Sequence, residues 1–409
     1  MRKIAVQSFV AIAGLVLFAA VQCRAQGACS VRYSQPVFSK LDTTRDVPYG
    51  RNVAVSGSMD TLKCDIYQPA GDTSRSRPLL VLTHGGSFTT GDKTEPDIVR
   101  LCVAFASRGY VTASINYRLG VAGVLPTGSE LARANIRAVQ DERAAVRYFR
   151  SRADSLHIDT TLIFAGGTSA GAFTAIQHAY LDQSEIPAGM DTSGLGGLEG
   201  ASGTPGYSSR IRGVINLWGA IGDTAWINQG DVPIVSIHGT ADNTVPYDAG
   251  WVFGISGVYW VYGSASIHRR AIGHGVYSVL RLFSGMGHQF PVTSPQMDTA
   301  EGVISDFLGT VINCDSGQVA VIHAYGGSRP AQGSAGAWLC MKQAGVMQLS
   351  PDARLDDIRF YDCFGRIVDM HPVHLGCAGS FRITAAAPGV YVAADTKNKN
   401  HVAMPLHLF

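Results

Sequence analysis

From about residue 60, short apolar runs alternate with longer stretches in which apolar residues recur every three or four positions. "LKCDIYQP" reads as a strand that stops at a proline. "PLLVLTHGG" is a continuous apolar run closed by glycines, as expected of a strand buried on both faces. "DIVRLCVAFASRGY" has helical spacing and a glycine stop, and "VTASINYRLG" predicts the strand after it. Between Leu131 and Arg152, the residues Ile136, Val139, Val146 and Phe149 share one broad face, so the segment predicts an amphipathic helix. "TLIFAGG" predicts a strand, "AGAFTAIQHAYL" a helix, and "IRGVINLWGA" and "VPIVSIHGTAD" two more strands. The repeat predicts an α/β class: a mostly parallel sheet with helices on both faces.

The two ends break this pattern. "MRKIAVQSFVAIAGLVLFAAVQCRAQ" has Arg2 and Lys3 ahead of an apolar stretch, then small residues at Cys23 and Ala25, and predicts a secretory signal peptide over residues 1–25. The α/β body is expected over 26–314, with a linker over 315–339. Over 340–409, short strand-like pieces such as "DIRFYDCFGRIVDM" and "GSFRITAAAPGVYVAAD" predict a small β-sandwich. Inside the body, the Gly- and Ser-rich residues 189–209 are too long for an ordinary connection. They read either as a cover over a site or as a surface excursion.

Composition narrows the class. The 409 residues are 46% hydrophobic, enough for a sizeable core, and 16% charged, below the usual share for soluble domains. A net charge of +2 with no Lys/Arg block excludes a nucleic-acid partner. No stretch after the signal is long and apolar enough to predict a membrane span. The cysteines beyond the signal are Cys29, Cys64, Cys102, Cys314, Cys340, Cys363 and Cys377. None forms a C-x-x-C pair, so no metal knuckle is expected. In an exported chain the expected pairings are Cys64 with Cys102, and Cys340 or Cys363 with Cys377.

The candidate chemistry centres on "GGTSAG". Gly167, Ser169 and Gly171 spell G-x-S-x-G between a predicted strand and a predicted helix, the context of a nucleophile elbow. A serine hydroxyl needs a base, and the base needs an orienting carboxylate. Asp242 follows the buried strand "VPIVSIHGTAD", at the end where such sheets bind ligands. Asp231 precedes that strand and would lie at the wrong end, whereas Asp223 stays a rival acid. His288 in "SGMGHQF" follows "VYSVLRLF", whereas His274 precedes it, so His288 is the expected base. The N–H of Ala170 and the loop "THGGSF" are the expected donors to an oxyanion. Trp218 ends "GVINLW" and reads as a wall for the acyl or alcohol group, or as a residue packed beneath the loop.

In the order "HGGSF", "NYRLG", "QDERAAVRYFR", "GGTSAG" and "HGTADNTVP", residues 58–310 resemble the carboxylesterase and lipase branch of the α/β-hydrolase superfamily. The resemblance implies the α/β-hydrolase fold, a triad of Ser169, Asp242 and His288, and an oxyanion hole of Gly86, Ser87 and Ala170. Ser87 stands where the family usually has a third glycine. Tyr117, Arg118 and Asp141 are implied as scaffold. The implied activity is hydrolysis of a carboxylic ester, from an external polymer, polyester or lipid, with no cofactor and no metal. A serine peptidase of the same fold and a non-catalytic binding relative are the alternatives. "IRFYDCFGRIV" and "APGVYVAAD" resemble the sorting domain of the type IX secretion system of Bacteroidetes, which implies the secretion machinery as a partner and a secreted or cell-surface location.

Overall fold

The computed structural model describes residues 32–121, 127–186 and 194–312 with their side chains, and beyond them the backbone of residues 313–316 and of short strands between 339 and 408. The predicted signal peptide, the linker and the side chains of Cys29, Cys314, Cys340, Cys363 and Cys377 lie outside the described residues.

In chain order the body contains β1 (Leu41–Val53), β2 (Met59–Pro69), β3 (Arg77–Thr83), α1 (Pro96–Ala106), β4 (Val111–Ile115), α2 (Gly128–Ser151) and α3 (Ala153–Leu156). Then follow β5 (Ile158–Thr168), α4 (Ala170–Tyr180), β6 (Gly213–Leu217), β7 (Ala220–Ile221), β8 (Ile234–Gly239), β9 (Ala249–Trp251) and β10 (Trp260–Gly263). The body closes with α5 (Ser264–Gly273), β11 (Ser278–Phe283) and α6 (Pro295–Ser316). An eight-stranded sheet has the order β1-β2-β4-β3-β5-β6-β8-β11. Neighbours from β4 to β11 run parallel, and β1 and β2 add an antiparallel edge. A small antiparallel sheet, β7-β10-β9, stands beside it.

Every residue of β3, β4, β6 and β8 is buried, which is why apolar side chains dominate these strands. Successive side chains alternate between two faces. Leu80, Leu82, Val235 and Ile237 pack with α1 and α6 on one face. Leu79 and Val81 pack with α2 on the other, where Val214 and Ile234 meet α4 and α5. No helix among the described residues is long and apolar enough to cross a membrane. Beyond the body, β12 (Leu339–Lys342), β13 (Val346–Leu349), β14 (Ile358–Asp362), β15 (Ile367–Val368), β16 (His371–His374), β17 (Ser380–Thr384), β18 (Gly389–Asp395) and β19 (Met404–Leu408) form two antiparallel sheets. Their orders are β12-β13-β17-β16 and β15-β14-β18-β19.

Two expectations change. The described part of the Gly-rich loop, residues 194–209, lies along α2 and the β1 edge. Gln140 donates to the carbonyls of Leu195 and Gly197, Arg147 pairs with Glu199, and Ser202 donates to Asp141. This part is pinned by buried donors of α2. The disulfide expected between Cys64 and Cys102 is absent, and both are free, buried thiols. Cys64 packs on the α2 face and Cys102 on the α1 face, so the sheet stands between them. Burial pushes both thiols up to about 12. A thiol reagent is therefore expected to label Cys64 and Cys102 only after unfolding. Peptide mapping of non-reduced protein should find no fragment joining them, and such a fragment would overturn this placement.

Candidate active site

The G-x-S-x-G glycines are set by close approach. A Cβ at Gly167 would lie 2.2 Å from the Thr83 carbonyl oxygen, and one at Gly171 would lie 1.9 Å from it. Only bare backbone lets the start of α4 press against the end of β3. Between them, Ser169 adopts φ 50° and ψ −118°, a conformation L-residues rarely take. The turn leaves the hydroxyl at the carboxyl edge of the sheet, half-buried and reachable. Thr83 also anchors what lies beneath: it donates at 2.7 Å to the buried Glu142 of α2, whose other oxygen lies 2.8 Å from Nδ1 of His178 on α4.

Asp242 and His288 come from loops after β8 and β11. Parallel pairing of these strands carries both loops to the same end. The loops are stitched together: Ala241 N–H donates to the Met286 carbonyl at 2.9 Å, and Gly285 N–H donates to Thr240 Oγ1 at 2.9 Å. His288 Nε2 lies 2.9 Å from Ser169 Oγ, and His288 Nδ1 lies 2.6 Å from Asp242 Oδ2. The Asp242 side chain is fully buried, and that of His288 is 18% exposed. Burial alone would raise the Asp242 pKa. Hydrogen bonds from His238 and His288, the charge of His288 and the Val245 N–H outweigh it, and the carboxyl is held well below its usual range. The rivals stand apart. Asp223 caps a short helical turn by accepting from Ala225 N–H, Asp231 accepts from Asn228 N–H, and His274 caps α5 ahead of β11.

The loop after β3 borders the serine. A Cβ at Gly85 would come within 3.3 Å of the Ser169 Cβ. Gly86 has φ 107°, and Ser87 itself adopts φ 53°, so the residue in the place of a third glycine follows the left-handed path that glycine would favour. Nδ1 of the buried His84 lies 2.7 Å from the Gly85 carbonyl, and the Tyr117 hydroxyl donates to the His84 carbonyl at 3.2 Å. Ala170 opens α4, where an N–H has no acceptor in the preceding turn and is free to face an anion. Arg118 and Asp141 form a buried ion pair with N···O of 2.9 Å, bracing α2 against the chain after β4. Trp218 is 1% exposed, and its ring lies 5.0 Å from that of Phe290 and 6.4 Å, edge-on, from that of His288. That burial favours the packed reading, with the indole backing the histidine.

A layer behind Asp242 was missed from the sequence. His238 Nε2 lies 3.2 Å from Asp242 Oδ2, and His238 Nδ1 lies 2.7 Å from Ser264 Oγ; Ser264 in turn accepts from Asn216 at 3.0 Å. The signal was there: Asn216, Ser236 and His238 are polar residues inside strands otherwise apolar and wholly buried, and such groups require partners.

A mostly parallel sheet, a strained serine between strand and helix, and an acid and a histidine from later strand ends together define the α/β-hydrolase fold. Within it, residues 64–222 match the family model described as BD-FAE. Carboxylesterase 1D of Mus musculus is 33% identical over 139 residues, which cover 34% of this chain and 23% of that one. Carboxylesterase 3 of Pongo abelii is 34% identical over 132 residues, covering 32% and 22%. The chain thus spans less than a quarter of the length of these curated relatives. Among solved structures, a thermophilic esterase from the Planctomycetes species Thermogutta terrifontis is similar at 20% identity with a TM-score of 0.46, covering 73% of this chain and 98% of that one.

Gly171→Ala tests the close approach at the elbow. The added methyl has backbone rather than a movable side chain against it, so the expected loss of stability is about 3 kcal/mol, the upper range for overpacked sites. Thermal unfolding measures it, and an unchanged melting temperature would show that α4 does not press on β3 as described.

Proposed function

We propose that the chain is a secreted serine carboxylic-ester hydrolase. The single observation that carries the reading is the unbroken contact from Ser169 through His288 to a buried, ionised Asp242. Ser169 Oγ attacks the ester carbonyl while His288 Nε2 takes its proton. Asp242 holds the imidazole with Nδ1 protonated and stabilises the imidazolium that forms. The N–H groups of Gly86, Ser87 and Ala170 receive the oxyanion, where each donor typically contributes roughly 3–4 kcal/mol. His288 then protonates the leaving alcohol. Water, activated by the same histidine, attacks the acyl-enzyme and frees Ser169. Trp218 supports His288 from below.

The substrate in this reading is a carboxylic ester of an external polymer, polyester or lipid. The similarity of residues 64–222 to BD-FAE and to carboxylesterases supports the ester chemistry. Residues 1–25 act as the export signal, and residues 340–409 act as a β-sandwich address for the secretion machinery. The two antiparallel sheets, β12-β13-β17-β16 and β15-β14-β18-β19, support the sandwich.

Two outcomes are expected. Ser169→Ala abolishes turnover of p-nitrophenyl acetate with an unchanged melting temperature, and Asp242→Asn lowers kcat by about 10⁴, since the imidazole then takes the wrong tautomer. Near-normal turnover by Ser169→Ala, or a crippled Asp223→Asn beside an active Asp242→Asn, would overturn the assignment. Truncation after residue 316 leaves the small-ester activity intact, because the site closes within β3 to β11. Loss of that activity would show that the C-terminal strands help to build the site.

A further inference from the structure

We infer that His238, with Ser264 and Asn216 behind it, positions Asp242 so that its Oδ2 stays aimed at His288 Nδ1. The inference rests on the serine-hydrolase reading and concerns residues that never touch substrate.

The arrangement starts from one backbone group. Gly219 N–H donates to Asn216 Oδ1 at 2.8 Å. That contact turns the amide nitrogen toward Ser236 and Ser264, and it donates to both hydroxyls at 3.0 Å. Ser264 Oγ receives one of these protons, so its own proton is available to His238 Nδ1, 2.7 Å away. On the far side of the ring, Nε2 lies 3.1 Å from the Val245 carbonyl oxygen. A carbonyl only accepts, so Nε2 carries the proton and shares it with Asp242 Oδ2 at 3.2 Å. His238 therefore carries a proton on Nε2 and donates it to Asp242 Oδ2, with Ser264 Oγ held against Nδ1.

Two donor lines converge on Asp242. One runs from Asn216 through Ser264 and His238; the other runs from Ser169 through His288. Oδ2 takes both imidazoles, while Oδ1 takes the N–H groups of Thr244 and Val245, each at 2.8 Å. A carboxylate held by four donors cannot rotate, and its Oδ2 stays aimed at His288 Nδ1. His238, Asn216, Ser236 and Ser264 are fully buried, so water does not replace a lost donor at low cost. His238 also takes up part of the negative charge on Oδ2. That moderates how tightly Asp242 holds the imidazolium of His288. Among the described residues, the groups facing the two imidazoles are the Asp242 carboxylate, the hydroxyls of Ser169 and Ser264, the Val245 carbonyl and the Trp218 ring.

The test compares His238→Leu, His238→Gln and Ser264→Ala in the full chain, using p-nitrophenyl acetate across pH. In His238→Leu, kcat is expected to fall roughly 10- to 100-fold with KM unchanged, the scale of one hydrogen bond to a charged group. The acid limb of kcat/KM should move to higher pH, because a carboxylate with one donor fewer holds the His288 imidazolium more tightly. His238→Gln returns an N–H near the Nε2 position and should recover most of both effects. Ser264→Ala, which keeps the imidazole, should shift both in the same sense by less, and it decides the matter if His238→Leu does not fold. A folded His238→Leu, or a folded Ser264→Ala, with the unmodified kcat and acid limb overturns the inference even where its melting temperature has dropped. An unmodified chain that hydrolyses no ester overturns the serine-hydrolase reading and this inference with it.

Discussion

A single buried negative charge organises this molecule. Asp242 has no exposed side-chain surface, and an uncompensated carboxylate there would carry a desolvation penalty of several kcal/mol. Its loop therefore folds to aim two backbone N–H groups at one oxygen, and β8 and β11 deliver an imidazole each to the other. The demand spreads outward. His238 must have a partner, which brings Ser264 to the head of α5, and Ser264 brings Asn216 in β6. A chemical requirement at one atom thus dictates residue types on three secondary-structure elements, none of which meets substrate.

A second polar system braces the opposite half of the sheet. Arg118, Asp141 and Ser202 join the chain after β4, the middle of α2 and the Gly-rich loop. Glu142, next in sequence to Asp141, reaches Thr83 and His178. Helix α2 is therefore polar on its inner face: it buries Arg137, Gln140, Asp141, Glu142 and Arg147, each matched to a partner on another element. These contacts hold β3 and α4 in register beneath Ser169. Precision at the site comes from the two ends of the sheet at once.

Much of this was legible in the chain. β3, β4, β5, β6 and β8 were all expected as strands, β3 because a strand buried on both faces announces itself as a continuous apolar run. Ser169 was read from G-x-S-x-G, and Asp242 and His288 from their places after two strands; the structure brings the three side chains within hydrogen-bond distance. The elements that escaped have identifiable reasons. β1 is mostly exposed and polar, "LDTTRDVPYGRNV", so its two-residue alternation is faint. α6 has a weaker apolar stripe than α1 or α2, so its helical spacing is faint. The Cys64–Cys102 pairing failed because it took no account of the two-residue alternation that sets which face of a strand a side chain takes. Leu62, Cys64 and Ile66 alternate onto the α2 face, and counting positions in β2 against α1 would have separated the two thiols. His238 escaped although its strand was read as buried, because the sequence does not show which partners a buried imidazole meets; Ser264 lies 26 residues further on.

The backbone at Ser169 leads somewhere else. A side chain held at φ 50° and ψ −118° sits uphill on its own conformational surface, typically by about 1–3 kcal/mol. The glycine contacts on Thr83 and the hydrogen bond from Ser169 N–H to the Leu217 carbonyl keep it there. Because the backbone cannot relax, Ser169 Oγ stays on the side of the turn that faces His288 Nε2. Rigidity at that point is a kinetic asset. It also makes this turn the place where drift toward a more comfortable sequence and retention of its conformation pull in opposite directions.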